Sequence, residues 1–156
     1  MIIALTGSNG SIGKELAPFL QGLGHSVITI SSSKAGDGVK NFSYDDMKTC
    51  KINVKVDLFI HLASINNKIN KLSIGDELKI TKTVLSSLDS LKCKKLIFFS
   101  TSKVYGDNNL KQNFFDESSA LDPKCFYGKA KKLCEELIIT QASFLNISVL
   151  ILRLPP

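Results

Sequence analysis

The chain has 156 residues, of which 44% are hydrophobic and 22% charged, and it carries a formal net charge of +6. That length fits one domain able to bury roughly 70% of its unfolded surface, while no stretch approaches the ~20 apolar residues of a membrane helix. Arg153 is the only arginine among scattered lysines, which argues against nucleic acid, whose recognition leans on arginine forks and clustered cations.

The apolar run Ile2–Thr6 reads as a buried strand, followed by a glycine-bearing turn and a helix over Ile12–Leu23. Ser26–Ser31 is a second strand, Val39–Phe42 a weak third, and Tyr44–Cys50 a short helix. Asp57–Leu62 and Lys95–Ser100 are further strands. Between them a helix over Asp76–Leu91 carries Ile80, Val84, Leu88 and Leu91 on one stripe. A helix over Phe126–Phe144 repeats the pattern, and Ile147–Leu152 is the last strand. Strand–helix alternation with nearly continuous apolar strands predicts an α/β fold, a doubly wound parallel sheet of about six strands covered on both faces.

Cys50, Cys93, Cys125 and Cys134 show no metal-ligand spacing, and His25 and His61 stand far apart. Free thiols and no metal site are expected. With no cationic lead at the N-terminus, a cytoplasmic protein is the expectation.

Thr6-Gly7-Ser8-Asn9-Gly10-Ser11-Ile12-Gly13 sets three glycines in the spacing GxxGxxG between the first strand and first helix. A bare backbone at Gly7 permits the tight turn, at Gly10 it lets a pyrophosphate reach the amides, and at Gly13 it lets helix pack on strand. The helix start supplies unpaired N–H donors, so a dinucleotide phosphate is the expected ligand of Gly7–Gly13; the bland alternative is a structural turn. An acidic residue after the second strand would hold the ribose of NAD, but the chain reads Ser31-Ser32-Ser33-Lys34. Ser31, Ser32 and Lys34 suit the 2′-phosphate of NADP, with NAD the alternative if Lys34 is only a solvated loop residue.

Tyr127 and Lys131 lie four apart at the start of a helix and share a face. An ammonium beside a phenol favours the phenolate, and proton transfer is then within its reach.

Phe98-Phe99-Ser100-Thr101-Ser102-Lys103-Val104-Tyr105-Gly106 resembles the fifth-strand block of the extended short-chain dehydrogenases/reductases, the NAD(P)-dependent sugar-nucleotide epimerases, dehydratases and reductases. The glycine spacing and Tyr127-Gly128-Lys129-Ala130-Lys131 are similar to the same family's motifs. So are Asp57–Ser64, the segment from Asp116-Glu117 to Pro123, and Leu152-Arg153-Leu154-Pro155.

The resemblance implies Tyr127 as general acid/base, Lys131 as its tuning and ribose-binding partner, and Thr101 as the hydroxyl that orients substrate, with Ser102 the fallback. It also implies that the backbone of Leu62, Ala63 and Ser64 passes beside the cofactor, and that His61 is a structural strand residue rather than a ligand or base. A nucleotide sugar is the implied substrate, and pairing of two copies through the helices at 76–91 and 126–144 is an implied assembly.

Two departures shape the reading. The family's asparagine near Leu78 or Lys79 is absent, and Ser102-Lys103 stands where dehydratases carry Asp-Glu, leaving epimerase or ketoreductase chemistry. The chain also stops at Pro155-Pro156, where the family's C-terminal half begins. The expectation is therefore a nucleotide-binding domain over 1–156 without the substrate domain. A non-catalytic dinucleotide-binding module or regulatory subunit is the rival.

Overall fold

A computed structural model describes residues 1–32, 40–49, 51–64, 74–106 and 115–155. Six strands form one sheet: β1 (Ile2–Thr6), β2 (Ser26–Ser31), β3 (Lys40–Ser43), β4 (Leu58–His61), β5 (Lys95–Thr101) and β6 (Ser148–Leu154). Their order is β3-β2-β1-β4-β5-β6, and every adjacent pair is parallel. The helices are α1 (Ser11–Gly22), α2 (Tyr44–Lys48), α3 (Ile74–Ser87) and α4 (Phe126–Leu145), with a 3-10 turn at Ser102–Val104. The expected α/β fold, a doubly wound parallel sheet of six strands, is the one observed, and its strand order is that of a Rossmann-type sheet.

Alternation along the strands feeds two cores. Ile3, Leu5, Val27 and Ile60 point to the face covered by α1 through Leu16, Ala17 and Leu20. Ala4, Ile30, Phe59 and Phe98 point to the opposite face, against Val84, Leu85 and Leu88 from the α3 region and Cys134 and Ile138 from α4. Residues buried on both faces make each central strand read as a continuous apolar run. Among the described residues no helix is long and apolar enough to cross a membrane.

Several boundaries differ from the periodicity. The helix expected over 76–91 stops at Ser87, whose hydroxyl donates back to the Val84 carbonyl. Lys92 follows at φ 50°, a left-handed residue that closes the end. Leu88 and Leu91 are still buried, so the stripe is real although the helix is shorter. The strands β5 and β6 run on to Thr101 and Leu154 because those residues pair with each other in the ladder. The short helix ends at Lys48, held at its start by a reciprocal Ser43–Asp46 capping box; Cys50 lies outside the described residues.

Candidate active site at the carboxyl edge of the sheet

Parallel strands deliver all their C-terminal ends to one edge, and β1, β4 and β5 end side by side there. After β1 the chain turns at Gly7, φ 77°. A Cβ at Gly7 would lie 2.7 Å from the Ala63 amide nitrogen, so the turn and the end of β4 touch backbone to backbone. A Cβ at Gly13 would meet the Gly7 carbonyl oxygen at 2.2 Å. Gly10 differs: it is exposed, and only the Gly7 carbonyl, at 3.3 Å, would meet its Cβ.

Gly10 caps α1 without a side chain, and no acidic residue stands in the first turn, so that turn receives no side-chain cap. Ser8 Oγ is buried beneath the turn without a hydrogen-bond partner. A narrow glycine cradle, uncapped helix amides and an orphaned hydroxyl fit a phosphate group.

The cradle is held from below by a polar cluster. Thr6 Oγ1 lies 2.7 Å from His61 Nδ1 and accepts from the Ala63 amide at 3.3 Å. The other ring nitrogen, Nε2, is 3.3 Å from Thr81 Oγ1. Burial, aided by the Lys131 charge, lowers the His61 pKa to about 3, so the ring is neutral. Burial also pushes the Tyr44 phenol, bonded to Thr6, up to about 12. His61 therefore sits as a strand residue that joins β1, β4 and α3.

A cavity of about 350 Å³ opens between the cradle and the next elements. Gly7, Gly10, Ser11, Ile12 and Gly13 line one side, while Leu62, Thr101, Lys103 and Tyr127 line the other. The structure thus brings the glycine turn and the Tyr127 side of α4 to one cavity. Thr101 ends β5 and its hydroxyl accepts from the Lys103 amide at 3.3 Å. Ser102 instead lines a neighbouring cavity of about 730 Å³ with Tyr105, Asp116 and Arg153.

Other expected residues lie apart from this lining. Asn9 is exposed at the turn, Ala63 packs its backbone on Gly7, and Ser64 Oγ donates to Glu77 Oε1 at 2.8 Å. Ser31 is buried and Ser32 exposed at the end of β2, just past the Thr6–Ile30 pair; Lys34 lies outside the described residues. Lys131 does not line the cavity. Its side chain is 1% exposed, with Nζ 3.1 Å from Glu77 Oε1 and 5.8 Å from the centre of the Tyr127 ring.

Sequence reading missed three functional-looking groups. Glu77 shares a helical stripe with the buried Thr81 and Val84, and a lone acid on such a stripe was the available signal. Glu135 is buried under Ser100, and Arg153 donates to it through Nε and Nη2, the latter at 2.8 Å. Arg153 also donates to the Tyr105 hydroxyl at 2.8 Å, tying α4, β6 and the 3-10 turn together. The single arginine, set in the apolar run of the last strand, was the hint for that pair.

The model of the NAD dependent epimerase/dehydratase family matches residues 3–156. No curated protein matches the chain. Among solved structures, it superposes on UDP-N-acetylglucosamine 4-epimerase from Bacillus cereus with a TM-score of 0.83 at 21% identity, covering 98% of this chain and 55% of that one. UDP-glucuronic acid 4-epimerase from Bacillus cereus, in complex with NAD, gives 0.79 at 23%, covering 99% and 56%. A monomeric L-threonine 3-dehydrogenase from a metagenome gives 0.80 at 24%, covering 97% and 52%. Likeness at these identities establishes the fold, and the chain spans about half the length of these relatives.

Proposed function

The chain belongs to the NAD dependent epimerase/dehydratase family, and from that membership and the shared cavity we propose that it is the nucleotide-binding portion of an NAD(P)-dependent sugar-nucleotide epimerase or ketoreductase. The observation that carries the reading is a single cavity lined by Gly7, Gly10 and Gly13 on one side and by Thr101 and Tyr127 on the other.

In this reading Gly7–Gly13 and the first amides of α1 hold the pyrophosphate, with Ser8 Oγ beneath them. A bound nicotinamide supplies the hydride acceptor and donor. Tyr127 Oη takes the proton from the reacting sugar hydroxyl and returns it in the reverse step. The Thr101 hydroxyl, at a strand end facing the cavity, orients that oxygen and steadies its charge. Lys131 acts from behind Tyr127. The Ser31-Ser32 end of β2 carries no carboxylate, which favours NADP over NAD. Pairing of two copies through α3 and α4 belongs to the same proposal, since Leu133 and Ile139 leave α4 with exposed apolar side chains.

The test is hydride transfer with a panel of nucleotide sugars, followed by nicotinamide absorbance, for the parent and Tyr127→Phe. Loss of an acid/base group costs on the order of 10²- to 10⁴-fold in turnover. Equal turnover in the two proteins removes Tyr127 from the role. Calorimetry with NADPH and NADH separates the two cofactors.

A second reading, a dinucleotide-binding module without catalysis, is favoured by one observation. Lys131 is buried against Glu77 rather than opening on the cavity. Tight dinucleotide binding with no turnover on any nucleotide sugar would select it.

A further inference from the structure

Lys131 and Glu77 form the most deeply buried ion pair described in the molecule, with side chains 1% and 6% exposed. The pair joins α4 to α3 behind the cavity wall. Glu77 Oε1 does double service, since it also accepts the Ser64 hydroxyl at 2.8 Å. Ser64 follows the Leu62-Ala63 segment that runs past the glycine turn, so the carboxylate is tied to the cavity rim.

The ammonium is poorly served in this position. Nζ has an ion-pair contact but no aligned hydrogen-bond acceptor, and it stands 4.7 Å from the centre of the Phe98 ring. An ammonium has three N–H donors, and leaving them unfilled away from water is costly. What keeps Lys131 there is the charge on Glu77. Its neighbour Tyr127, one helical turn earlier, already faces the cavity.

We propose that Glu77 is a positioning residue that competes with bound dinucleotide for Lys131. The carboxylate holds the ammonium inside the layer between sheet and helices, and a ligand presenting ribose hydroxyls at the inner end of the cavity must draw Lys131 off it. Glu77 thereby lowers dinucleotide affinity and makes it depend on breaking a buried ion pair. This inference rests on the dinucleotide reading above.

The experiment is a fluorescence titration with NADPH and with NADH, each effect being read on whichever binds, and a calorimetric titration with ADP, which lacks the nicotinamide-side ribose. The proteins are the parent, Glu77→Gln and the double variant Glu77→Gln/Lys131→Met. Removing the carboxylate strands the ammonium, so Lys131 turns to the ligand's hydroxyls and NADH binds about tenfold more tightly to Glu77→Gln. ADP affinity stays within about twofold, because the competing pair lies away from the phosphate cradle.

In the double variant both charges are gone, and a neutral buried pair of similar volume is tolerated in a fold. With the ammonium gone as well, nothing turns to the ribose hydroxyls: NADH binds at least about tenfold more weakly than to Glu77→Gln and no more tightly than to the parent, which tests the proposal even where the single variant does not fold. NADH affinity unchanged or weakened in folded Glu77→Gln overturns the competition. So does a double variant that binds NADH more tightly than the parent does. Failure of NADPH, NADH and ADP alike to bind any of the three overturns the dinucleotide reading and the competition with it, whereas binding of a reduced dinucleotide with no response to Glu77→Gln overturns the competition alone.

Discussion

Thr6 Oγ1 and His61 Nδ1 lie 2.7 Å apart, joining the last residues of β1 and β4 directly beneath the glycine turn. The imidazole is sealed from water, with burial as the main cause of a pKa near 3 against an ordinary 6.5. The folded state therefore binds fewer protons than the unfolded one below pH 6.5, and stability falls as acid is added. His61 contributes in full above its unfolded pKa, and its contribution is lost progressively between pH 6.5 and about 3. We expect about 2 kcal/mol of stability to disappear between pH 7 and pH 5, at about 1.4 kcal/mol per pH unit. Urea midpoints at the two pH values measure this, and His61→Gln should flatten the difference. Asp46 and Asp116, held below the usual carboxylate range chiefly by Ser43 and Ser118, lose their contributions only at lower pH. Equal pH dependence of parent and His61→Gln would remove His61 as the cause.

Two glycines of the turn, Gly13 and Gly10, should fail in different ways. A Cβ at Gly13 meets the Gly7 carbonyl at 2.2 Å and Ser8 Cα at 2.6 Å, and backbone cannot yield that much without opening the turn. Gly13→Ala is expected to cost ~2–3 kcal/mol of stability, an overpacking penalty seen in denaturant unfolding. Gly10→Ala meets nothing closer than 3.3 Å and faces outward, so its melting temperature should stay within about 4 °C of the parent. In the proposed reading the added methyl stands where a pyrophosphate approaches the amides, so dinucleotide affinity should fall about tenfold or more by calorimetry. The reverse pattern, with Gly10→Ala unfolded and Gly13→Ala benign, would contradict the assigned geometry.

The contrast between these glycines and the Glu77–Lys131 pair marks what a single sequence can disclose. Gly7, Gly10 and Gly13 are neighbours in the chain, and their spacing between an apolar strand and a helical run marks a strand–turn–helix unit. The central strands were equally legible, because residues such as Ala4 and Leu5 are buried on opposite faces and leave no polar alternation. The placement of Lys131 was not legible. Helical spacing puts it on the face of Tyr127, but its ammonium is claimed by a residue on α3 that no local pattern links to it. Glu135 and Arg153 escaped for the same reason: partners on α4 and β6 meet only when the sheet is assembled. The ends of β5 and β6 were likewise set by pairing, Thr101 with Leu154, rather than by composition.

Glu135 is 1% exposed at its side chain and is neutralised by Arg153, with Ser100 Oγ as a further donor. Removing the guanidinium strands a buried carboxylate. Arg153→Met is expected to lose ~3 kcal/mol in equilibrium unfolding, somewhat less than a fully buried pair because the arginine keeps 18% of its side chain in water. Glu135→Gln/Arg153→Met should recover most of that loss, since the neutral amide can still accept from Ser100. A double-mutant cycle reads the coupling directly. Strict additivity of the two substitutions would show that the pair does not act as a unit.

Thr101 and Ser102 are adjacent hydroxyls separated by the end of β5. Thr101 lines the cavity shared with Tyr127 and the glycine turn, whereas Ser102 lines the neighbouring one with Tyr105 and Arg153. If the cavity at Tyr127 is where a sugar hydroxyl reacts, Thr101→Val removes the donor that steadies it and keeps the shape of the side chain. Turnover with the best nucleotide sugar should drop by about 10²-fold, a typical loss for one aligned donor. Dinucleotide affinity should be unchanged, because the proposed pyrophosphate cradle, Gly7–Gly13, does not involve this hydroxyl. Ser102→Ala leaves that cavity intact, and its turnover should stay within about threefold of the parent. Steady-state kinetics on both variants decides between the two hydroxyls. A larger loss in Ser102→Ala than in Thr101→Val would move the reacting centre to the cavity beside Arg153.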